Sequence, residues 1–301
     1  MAWRNAVNGA LEKLTGYQLR RIPVPAPRSA VSTVSATPAA PVVPAPATAP
    51  DPRTTASEAP AASAAPAAKP KPKPKPAALP ADYDDEAKEI IRAVKPYTMT
   101  SPERLNAFIL ATRHVVRHNI PGDIVECGVW RGGSMQACAK ALIALGETDR
   151  DLHLFDTFEG MPPPTAEDLR RDGKSAEALL AAQGKDRPIW AVASLEDVQA
   201  GFEQVPYPGE RVHYVQGMVE DTVPQQAPEQ ISILRLDTDW YASTKHELEF
   251  LYPRLVSGGV LLIDDYGYWQ GSRQAVDEFV EKTGERLLML RMDEGRIAVK
   301  P

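Results

Sequence analysis

Short apolar runs alternate with amphipathic segments from residue 123 to the end of the chain, and this alternation limits the possible folds more than any other feature. Five runs have the length and content of buried strands, at 123–129, 151–158, 211–217, 232–239 and 259–266. Three segments have helical spacing, at 133–146, 242–255 and 272–284. Strands that alternate with helices predict a parallel sheet with helices on both faces. In such a sheet, ligands bind at the carboxyl ends of the strands.

Two further apolar segments close the chain, at 286–292 and 295–300, and the short link between them suits a hairpin turn. The expected fold is therefore α/β, with a doubly wound, mostly parallel sheet and a C-terminal antiparallel hairpin. Class I methyltransferases have this Rossmann-like arrangement.

The N-terminal part of the chain has a different composition. Residues 1–21 carry apolar side chains at close to helical spacing, which predicts an amphipathic helix. Residues 22–80 are rich in Pro and Ala and end in KPKPKPKP, which predicts a disordered linker. Residues 81–301 then form one domain. The helix fits docking on a partner, on a membrane surface, or on a second copy in a homo-oligomer, as well as packing on its own domain.

Composition argues against several classes of protein. The chain has 34 Lys and Arg against 40 Asp and Glu, a net charge of -6, which disfavours binding to nucleic acid. We expect no transmembrane segment, since no apolar run approaches the roughly eighteen residues of a membrane span. Cys127 and Cys138 are the only cysteines and no secretory signal is evident. We therefore predict a cytoplasmic protein.

A glycine-rich turn, ECGVWRGGS, follows the first predicted strand at 126–134. Glycines at such a turn let the backbone bend tightly and approach a ligand closely. Glu126, just before the turn, suits a cationic amino group. The spacing is not GxGxxG, so an ordinary strand-to-helix turn is the alternative. The cofactor-binding residues that we predict here are Glu126, Gly128, Trp130, Arg131, Gly132, Gly133 and Ser134.

The second predicted strand ends in Asp156, 24 residues after Gly132. An acid at about this distance binds ribose hydroxyls in dinucleotide-type sheets. Thr157 and Phe158 follow, and Phe158 suits the face of an adenine ring. These residues, together with Gly217 after the third strand, favour a nucleoside with a charged amino-acid tail, and S-adenosylmethionine fits that description. NAD fits less well, because its pyrophosphate would be repelled by Glu126.

Acidic pairs end the fourth and fifth predicted strands, Asp237 with Asp239 and Asp264 with Asp265. Neighbouring parallel strands end at one edge of the sheet, and side chains alternate faces, so several carboxylates should converge. They would repel one another unless a cation lay between them. Oxygen ligands of this kind suit Mg²⁺ or Ca²⁺. The alternative is that the acids cap the helices that follow.

Four long motifs, in order, resemble the macrocin O-methyltransferase (TylF/MycF-type) family across about residues 96–300. They are VECGVWRGGS, LFDTFEGMP, LRLDTDWYASTK and LYPRLVSGGVLLIDDYGYWQGSRQAVDEF. The resemblance implies a class I methyltransferase that uses S-adenosylmethionine and Mg²⁺ to methylate hydroxyls of sugars on natural products. The acceptor would thus be a small molecule or a glycosyl group.

The resemblance also implies roles for the acidic residues. Asp237, Asp264 and Asp265 would be the metal ligands, and Asp239 the base, so that Asp237 and Asp239 are the catalytic pair. Trp240 stands where the catechol-type methyltransferases would have a lysine, which argues against lysine as the base. A vicinal diol would suit this chemistry, since two hydroxyls can chelate one ion.

Two other functions compete with methyl transfer. The chain could retain the fold as a non-catalytic, tethered interaction module, or act as an NAD-type oxidoreductase. The polar insertion at 159–188 is equally open to two interpretations, a lid over the active site or a disordered surface loop.

Overall fold

The computed structural model describes residues 78–301. The predicted helix at 1–21 and residues 22–77 of the predicted linker lie outside the described residues, so the division into helix, linker and domain stays a prediction. Within the described part, no helix is long and apolar enough to cross a membrane.

Seven strands make up one mixed sheet in this part of the chain. They are β1 Asp123–Cys127, β2 Leu152–Asp156, β3 Val212–Gln216, β4 Ile231–Leu236, β5 Leu255–Ile263, β6 Leu290–Met292 and β7 Gly295–Val299. Their order is β3–β2–β1–β4–β5–β7–β6. Strands β1 to β5 pair in parallel, β7 is antiparallel to β5, and β6 is antiparallel to β7. The predicted fold, a mostly parallel sheet with a C-terminal hairpin, is confirmed.

Eight α-helices accompany the sheet between residues 78 and 301. They are α1 Asp85–Val94, α2 Pro102–Arg117, α3 Gly133–Ala144, α4 Ala176–Ala181, α5 Leu195–Phe202, α6 Val219–Thr222, α7 Tyr241–Phe250 and α8 Gln270–Thr283. Helix α2 begins after Ser101, whose hydroxyl accepts a hydrogen bond from the N–H of Arg104. Helix α7 ends earlier than predicted, because Pro253 lies in a 3₁₀ turn at Tyr252–Arg254 and cannot continue an α-helix.

The core lies on both faces of the sheet, because alternate residues of a strand point to opposite sides. Ile124 of β1 belongs to the same buried cluster as Met135 and Leu142 of α3. Its neighbour Val125 belongs to the opposite cluster, with Leu248 of α7. Each such side chain, when fully buried, contributes about 1.5–3 kcal/mol. Helices cover both faces of the sheet, so the expected place for a ligand is the edge where the parallel strands end, with its loops.

Candidate active site

A cavity of about 600 Å³ lies at the carboxyl ends of the parallel strands. Each of these strands contributes a residue at or just after its end, namely Gly128, Asp156, Gly217, Asp237 and Asp264. The volume falls within the range of sites for small molecules. The position agrees with the expectation for a doubly wound sheet.

Five of the predicted cofactor-binding residues line this cavity: Gly128, Trp130, Asp156, Thr157 and Gly217. Asp156 also holds the glycine-rich turn in place. Its carboxylate accepts hydrogen bonds from the N–H groups of Val129 (2.6 Å), Trp130 (3.0 Å) and Phe158 (2.7 Å). Burial raises the pKa of Asp156, while the three N–H groups oppose that shift by stabilising the charged form.

Gly128 allows another segment of the protein's own backbone to approach closely. Its φ is 82°, and a Cβ added there would lie 2.0 Å from the carbonyl oxygen of Asp237. Gly133 is similar, since an added Cβ would lie 2.6 Å from the backbone of Tyr97. The glycine-rich turn therefore packs tightly against the loop that carries the acidic residues. The sequence had predicted that these glycines make room for a ligand.

The remaining predicted cofactor residues do not line the cavity. Phe158 is 4% exposed and packs in the core, so the structure gives no support to stacking of its ring on adenine. Its backbone φ of 54°, fixed by the hydrogen bond to Asp156, accompanies this inward position. Arg131 instead forms an ion pair with Asp197 at 2.5 Å. Gly132 packs near Val198 of α5.

Glu126 is fully buried and likewise absent from the cavity wall. One of its oxygens, Oε1, accepts hydrogen bonds from Ser134 Oγ at 2.5 Å and from Arg235. Glu126 and Ser134 therefore bind each other and an arginine, where the sequence had predicted contact with the cofactor. The geometry gives no support to an ammonium site at Glu126.

All four acidic residues of the predicted metal and catalytic site line the cavity: Asp237, Asp239, Asp264 and Asp265. Strand pairing explains why they meet. Leu236 of β4 lies beside Ile263 of β5, so the residues that follow, Asp237 and Asp264, lie side by side. The Asp264 N–H continues the ladder by donating to the carbonyl of Leu236 at 2.9 Å.

One oxygen of each carboxylate is held by a protein donor. Arg235 Nη2 lies 2.9 Å from Asp237 Oδ2 and 2.8 Å from Asp264 Oδ2, and Arg104 Nη1 lies 2.6 Å from the same Asp264 oxygen. Trp269 Nε1 donates to Asp239 Oδ1 at 2.6 Å, and the Asp239 N–H donates to Asp265 Oδ2 at 3.2 Å. These contacts fix the orientation of all four groups.

Two arginines were missed by the sequence analysis. Arg235 is the last residue but one of β4 and is 1% exposed, and Arg104 projects from α2 to the cavity. They neutralise part of the negative charge that the sequence analysis assigned to a cation alone. The available signal was Arg235 itself, a charged residue inside the apolar run SILRL. Burying such a group is costly unless it is paired.

The donor chemistry of the cluster fits a hard divalent cation. Asp264 Oδ1 is buried and has no hydrogen-bond partner among the described residues. Removal from water and the neighbouring carboxylates raise the pKa of Asp237, which lines the cavity with its side chain 26% exposed, and of Asp265. Within residues 78–301, however, no three acidic, His or Cys side chains already form a coordination group. The residues fit Mg²⁺ by chemistry, without a preformed cage.

Asp239 has an unusual backbone conformation and a raised pKa. Its φ of 67° lies in the left-handed region, which Asp tolerates better than most residues. Burial, followed by the charge of Asp237, raises the pKa of Asp239 to about 7. A base with a pKa near the working pH transfers protons efficiently.

A buried carboxyl that the sequence analysis did not select contacts the loop that carries Asp237 and Asp239. Glu247 of α7 is fully buried and accepts a hydrogen bond at 2.9 Å from Thr238, the residue between Asp237 and Asp239. Burial raises the pKa of Glu247 to about 8. Thr238 is thereby fixed to α7.

The chain matches the family model described as macrocin-O-methyltransferase (TylF) over residues 67–298. It belongs to the TylF family. Three curated relatives are similar over 62% of this chain. They are the demethyldecarbamoylnovobiocin O-methyltransferase of Streptomyces niveus (32% identity, 68% of its length), the 8-demethyl-8-(2,3-dimethoxy-alpha-L-rhamnosyl)-tetracenomycin-C 4'-O-methyltransferase of Streptomyces olivaceus (35%, 69%) and the mycinamicin III 3''-O-methyltransferase of Micromonospora griseorubida (32%, 72%).

Solved structures agree with this assignment. The O-methyltransferase NovP is 30% identical, with a TM-score of 0.60, and the match covers 68% of this chain and 82% of NovP. The calicheamicin methyltransferase CalS11, at 20% identity and a TM-score of 0.50, shares the fold; 71% of this chain and 91% of CalS11 are covered. The TylF-family chain is therefore an S-adenosylmethionine-dependent O-methyltransferase, and the prediction of this enzyme class is confirmed.

In this TylF-family enzyme the insertion after β2 packs over the cavity. Asp168, fully buried, accepts a hydrogen bond at 2.7 Å from the Tyr241 N–H at the start of α7. Arg170 forms a β-bridge with Trp269. Met161, Leu179 and Ile189, among others, contribute apolar side chains to the cavity wall. Of the two interpretations of the insertion, a covering segment agrees with the structure.

The aromatic residues near Asp264 and Asp265 pack against one another and also line the cavity. Trp240 and Trp269 form an edge-to-face pair with ring centroids 5.0 Å apart, and Trp269 forms another with Tyr268 at 5.1 Å. All three line the cavity, although both tryptophans are under 5% exposed. Trp240, where a lysine had been considered, donates from Nε1 to the carbonyl of Pro162 at 3.0 Å and so anchors the insertion.

Proposed function

We propose that this enzyme transfers the methyl group of S-adenosylmethionine to a hydroxyl of a sugar on a glycosylated natural product, with Mg²⁺ as a second cofactor. The name of the S. olivaceus relative specifies a rhamnosyl group on the molecule that is methylated. One observation carries the metal part of the proposal. Four carboxylates line one cavity, each with one oxygen held by a protein donor, and Asp264 Oδ1 is buried without a partner among the described residues.

The cofactor would occupy the half of the cavity formed by the ends of β1, β2 and β3. Gly128, Trp130, Asp156, Thr157 and Gly217 line that half. The acceptor would occupy the half formed by Trp240, Trp269, Tyr268 and the insertion, where flat aromatic faces suit the C–H surface of a sugar ring. The acidic cluster lies where the transferred methyl group and the hydroxyl must meet.

Asp237, Asp264 and Asp265 would hold Mg²⁺, which when bound supplies positive charge to stabilise the developing alkoxide. The rest of the chemistry belongs to the protein. Asp239 accepts the proton of the hydroxyl, the oxygen forms a bond to the methyl carbon, and the carbon–sulfur bond breaks with its electrons on sulfur. The products are a methyl ether and S-adenosylhomocysteine. The insertion excludes water and holds the acceptor in line with the methyl group.

Methyl transfer from labelled S-adenosylmethionine to a panel of glycosylated natural products tests the proposal, with Mg²⁺ and with a chelator. We expect label in a sugar methyl ether only when Mg²⁺ is present. Asp264→Asn should remove this activity, whereas Asp277→Asn, at a carboxylate on α8 that does not line the cavity, serves as the matched control. Full activity in the chelator would refute the metal dependence, and label found only on unglycosylated acceptors would refute the substrate class.

A further inference from the structure

Arg235 lies at the centre of the acidic cluster because of strand register. Its cross-strand neighbour on β1 is Glu126, and its neighbour on β5 is Leu262. Residues two apart on a strand point to the same face. Asp237 and Asp264 therefore share a face with Arg235, one step closer to the cavity. A single long side chain can thus reach from the buried sheet to both acids.

The two ends of the guanidinium have different partners. Nη1 contacts Glu126 Oε1, which is fully buried. Nη2 lies 2.9 Å from Asp237 Oδ2, 2.8 Å from Asp264 Oδ2 and 3.0 Å from Thr100 Oγ1. Nη2 therefore binds one oxygen each of Asp237 and Asp264, which are two of the proposed metal ligands, while Glu126 holds Nη1.

We propose that Arg235 is a positioning residue of the metal site and that Glu126 acts through Arg235, not on the cofactor. The inference rests on the proposed function, because it assumes that Asp237 and Asp264 bind Mg²⁺. By holding one oxygen of each ligand, Arg235 leaves the other oxygen for the ion. Partners that orient metal ligands in this way contribute strongly to affinity.

The positive charge of Arg235 by itself would repel a metal ion, so its contribution must come from orientation. The cluster contains five carboxylates, including Glu126, against the guanidinium groups of Arg104 and Arg235. When these carboxylates are ionised, as binding of a metal requires, an excess of negative charge remains for a divalent cation. The planar fork of arginine contacts Glu126 through Nη1 and the two aspartates through Nη2, whereas lysine has a single nitrogen on its side chain and cannot reproduce this geometry.

Arg235→Lys separates the two effects, because it keeps the charge and removes the fork. We expect its affinity for Mn²⁺, measured by electron paramagnetic resonance of the free ion, to fall about 10- to 100-fold. Glu126→Gln keeps an oxygen acceptor for Arg235 and removes the carboxylate charge, so we expect a smaller fall in the affinity for Mn²⁺. Binding of S-adenosylhomocysteine in the presence of a chelator, measured by calorimetry, should be unchanged in both variants.

Arg113→Lys is the matched control. Arg113 is also a buried arginine, 7% exposed, but it pairs with Asp84 and Glu86, outside the acidic cluster. This variant should bind both Mn²⁺ and S-adenosylhomocysteine like the wild type. Thermal unfolding of each protein establishes that it is folded, and if Arg235→Lys does not fold, Glu126→Gln decides the question.

Two results would overturn the inference while leaving the proposed function intact. One is wild-type Mn²⁺ affinity in Arg235→Lys. The other is weaker binding of S-adenosylhomocysteine to Glu126→Gln with unchanged Mn²⁺ affinity, which would return Glu126 to the cofactor site. A wild-type protein that binds S-adenosylhomocysteine but no Mn²⁺ would instead refute the metal site itself, and the inference with it.

Discussion

The hydrogen bond from Trp269 to Asp239 should set the pH at which the enzyme becomes active. Asp239 accepts a proton only when it is ionised, so kcat/KM should rise with pH through the pKa of this group, which burial and the charge of Asp237 place at about 7. Trp269 Nε1 donates to Asp239 Oδ1 at 2.6 Å, and this bond lowers the pKa by stabilising the charged form. Trp269→Phe removes the donor and keeps an aromatic ring.

The size of the shift follows from the strength of that bond. A hydrogen bond to a charged group contributes about 1.5–3 kcal/mol, and one pKa unit corresponds to about 1.4 kcal/mol. Asp239 is half-buried, so we take the lower end and expect the rising limb of the profile to move up by about one pH unit. Bound Mg²⁺ would lower the pKa of Asp239 in both proteins, so the quantity to compare is the difference in midpoint between the variant and the wild type.

The assay is the pH dependence of kcat/KM at saturating Mg²⁺, compared between wild type, Trp269→Phe and Trp240→Phe. Trp240 belongs to the same aromatic group, but its N–H donates to the carbonyl of Pro162. Trp240→Phe should therefore leave the midpoint of the profile where it is in the wild type. An unmoved midpoint in Trp269→Phe, or an equal shift in both variants, would refute Asp239 as the base.

Other predictions concern the glycine-rich turn and the insertion. Gly128→Ala should lower the free energy of unfolding in urea by at least about 2 kcal/mol, because an added Cβ would lie 2.0 Å from the Asp237 carbonyl. Gly173→Ala has the same φ of 82° with nothing within 4 Å, so it should cost only about 1 kcal/mol; equal losses would contradict the clash. Asp168→Ala should free the insertion from Tyr241 and raise the KM of the acceptor, because a buried hydrogen bond of about 1–3 kcal/mol is lost. The affinity for S-adenosylhomocysteine should not change, and a loss there would show that the insertion also holds the cofactor.

The convergence of Asp237 and Asp264 could be predicted from the sequence because it depends only on local rules. Consecutive parallel strands end at one edge, and each acid directly follows its strand. The same rules place Asp156 and Gly217 on the cavity wall. These four residues line the cavity because each lies at the end of a parallel strand or directly after it.

The role of Glu126 could not be predicted in this way. Its partner Arg235 is 109 residues away, and they meet only because β1 lies beside β4. Opposite charges inside two apolar strands were the available hint. The close approach at Gly128 is similar, since the sequence indicates that something approaches this glycine but not that it is the backbone of Asp237. The position of the insertion likewise depends on the distant contact between Asp168 and Tyr241.

The central claim is that carboxylates from β4 and β5 together hold a divalent cation. Crystals of the complex with S-adenosylhomocysteine, soaked in Mn²⁺, test it most directly through anomalous diffraction. The account predicts a peak within coordination distance of Asp237, Asp264 and Asp265, with Arg235 still in contact with Glu126. A peak at other residues, or none in crystals whose cavity is open to solvent, would contradict the account.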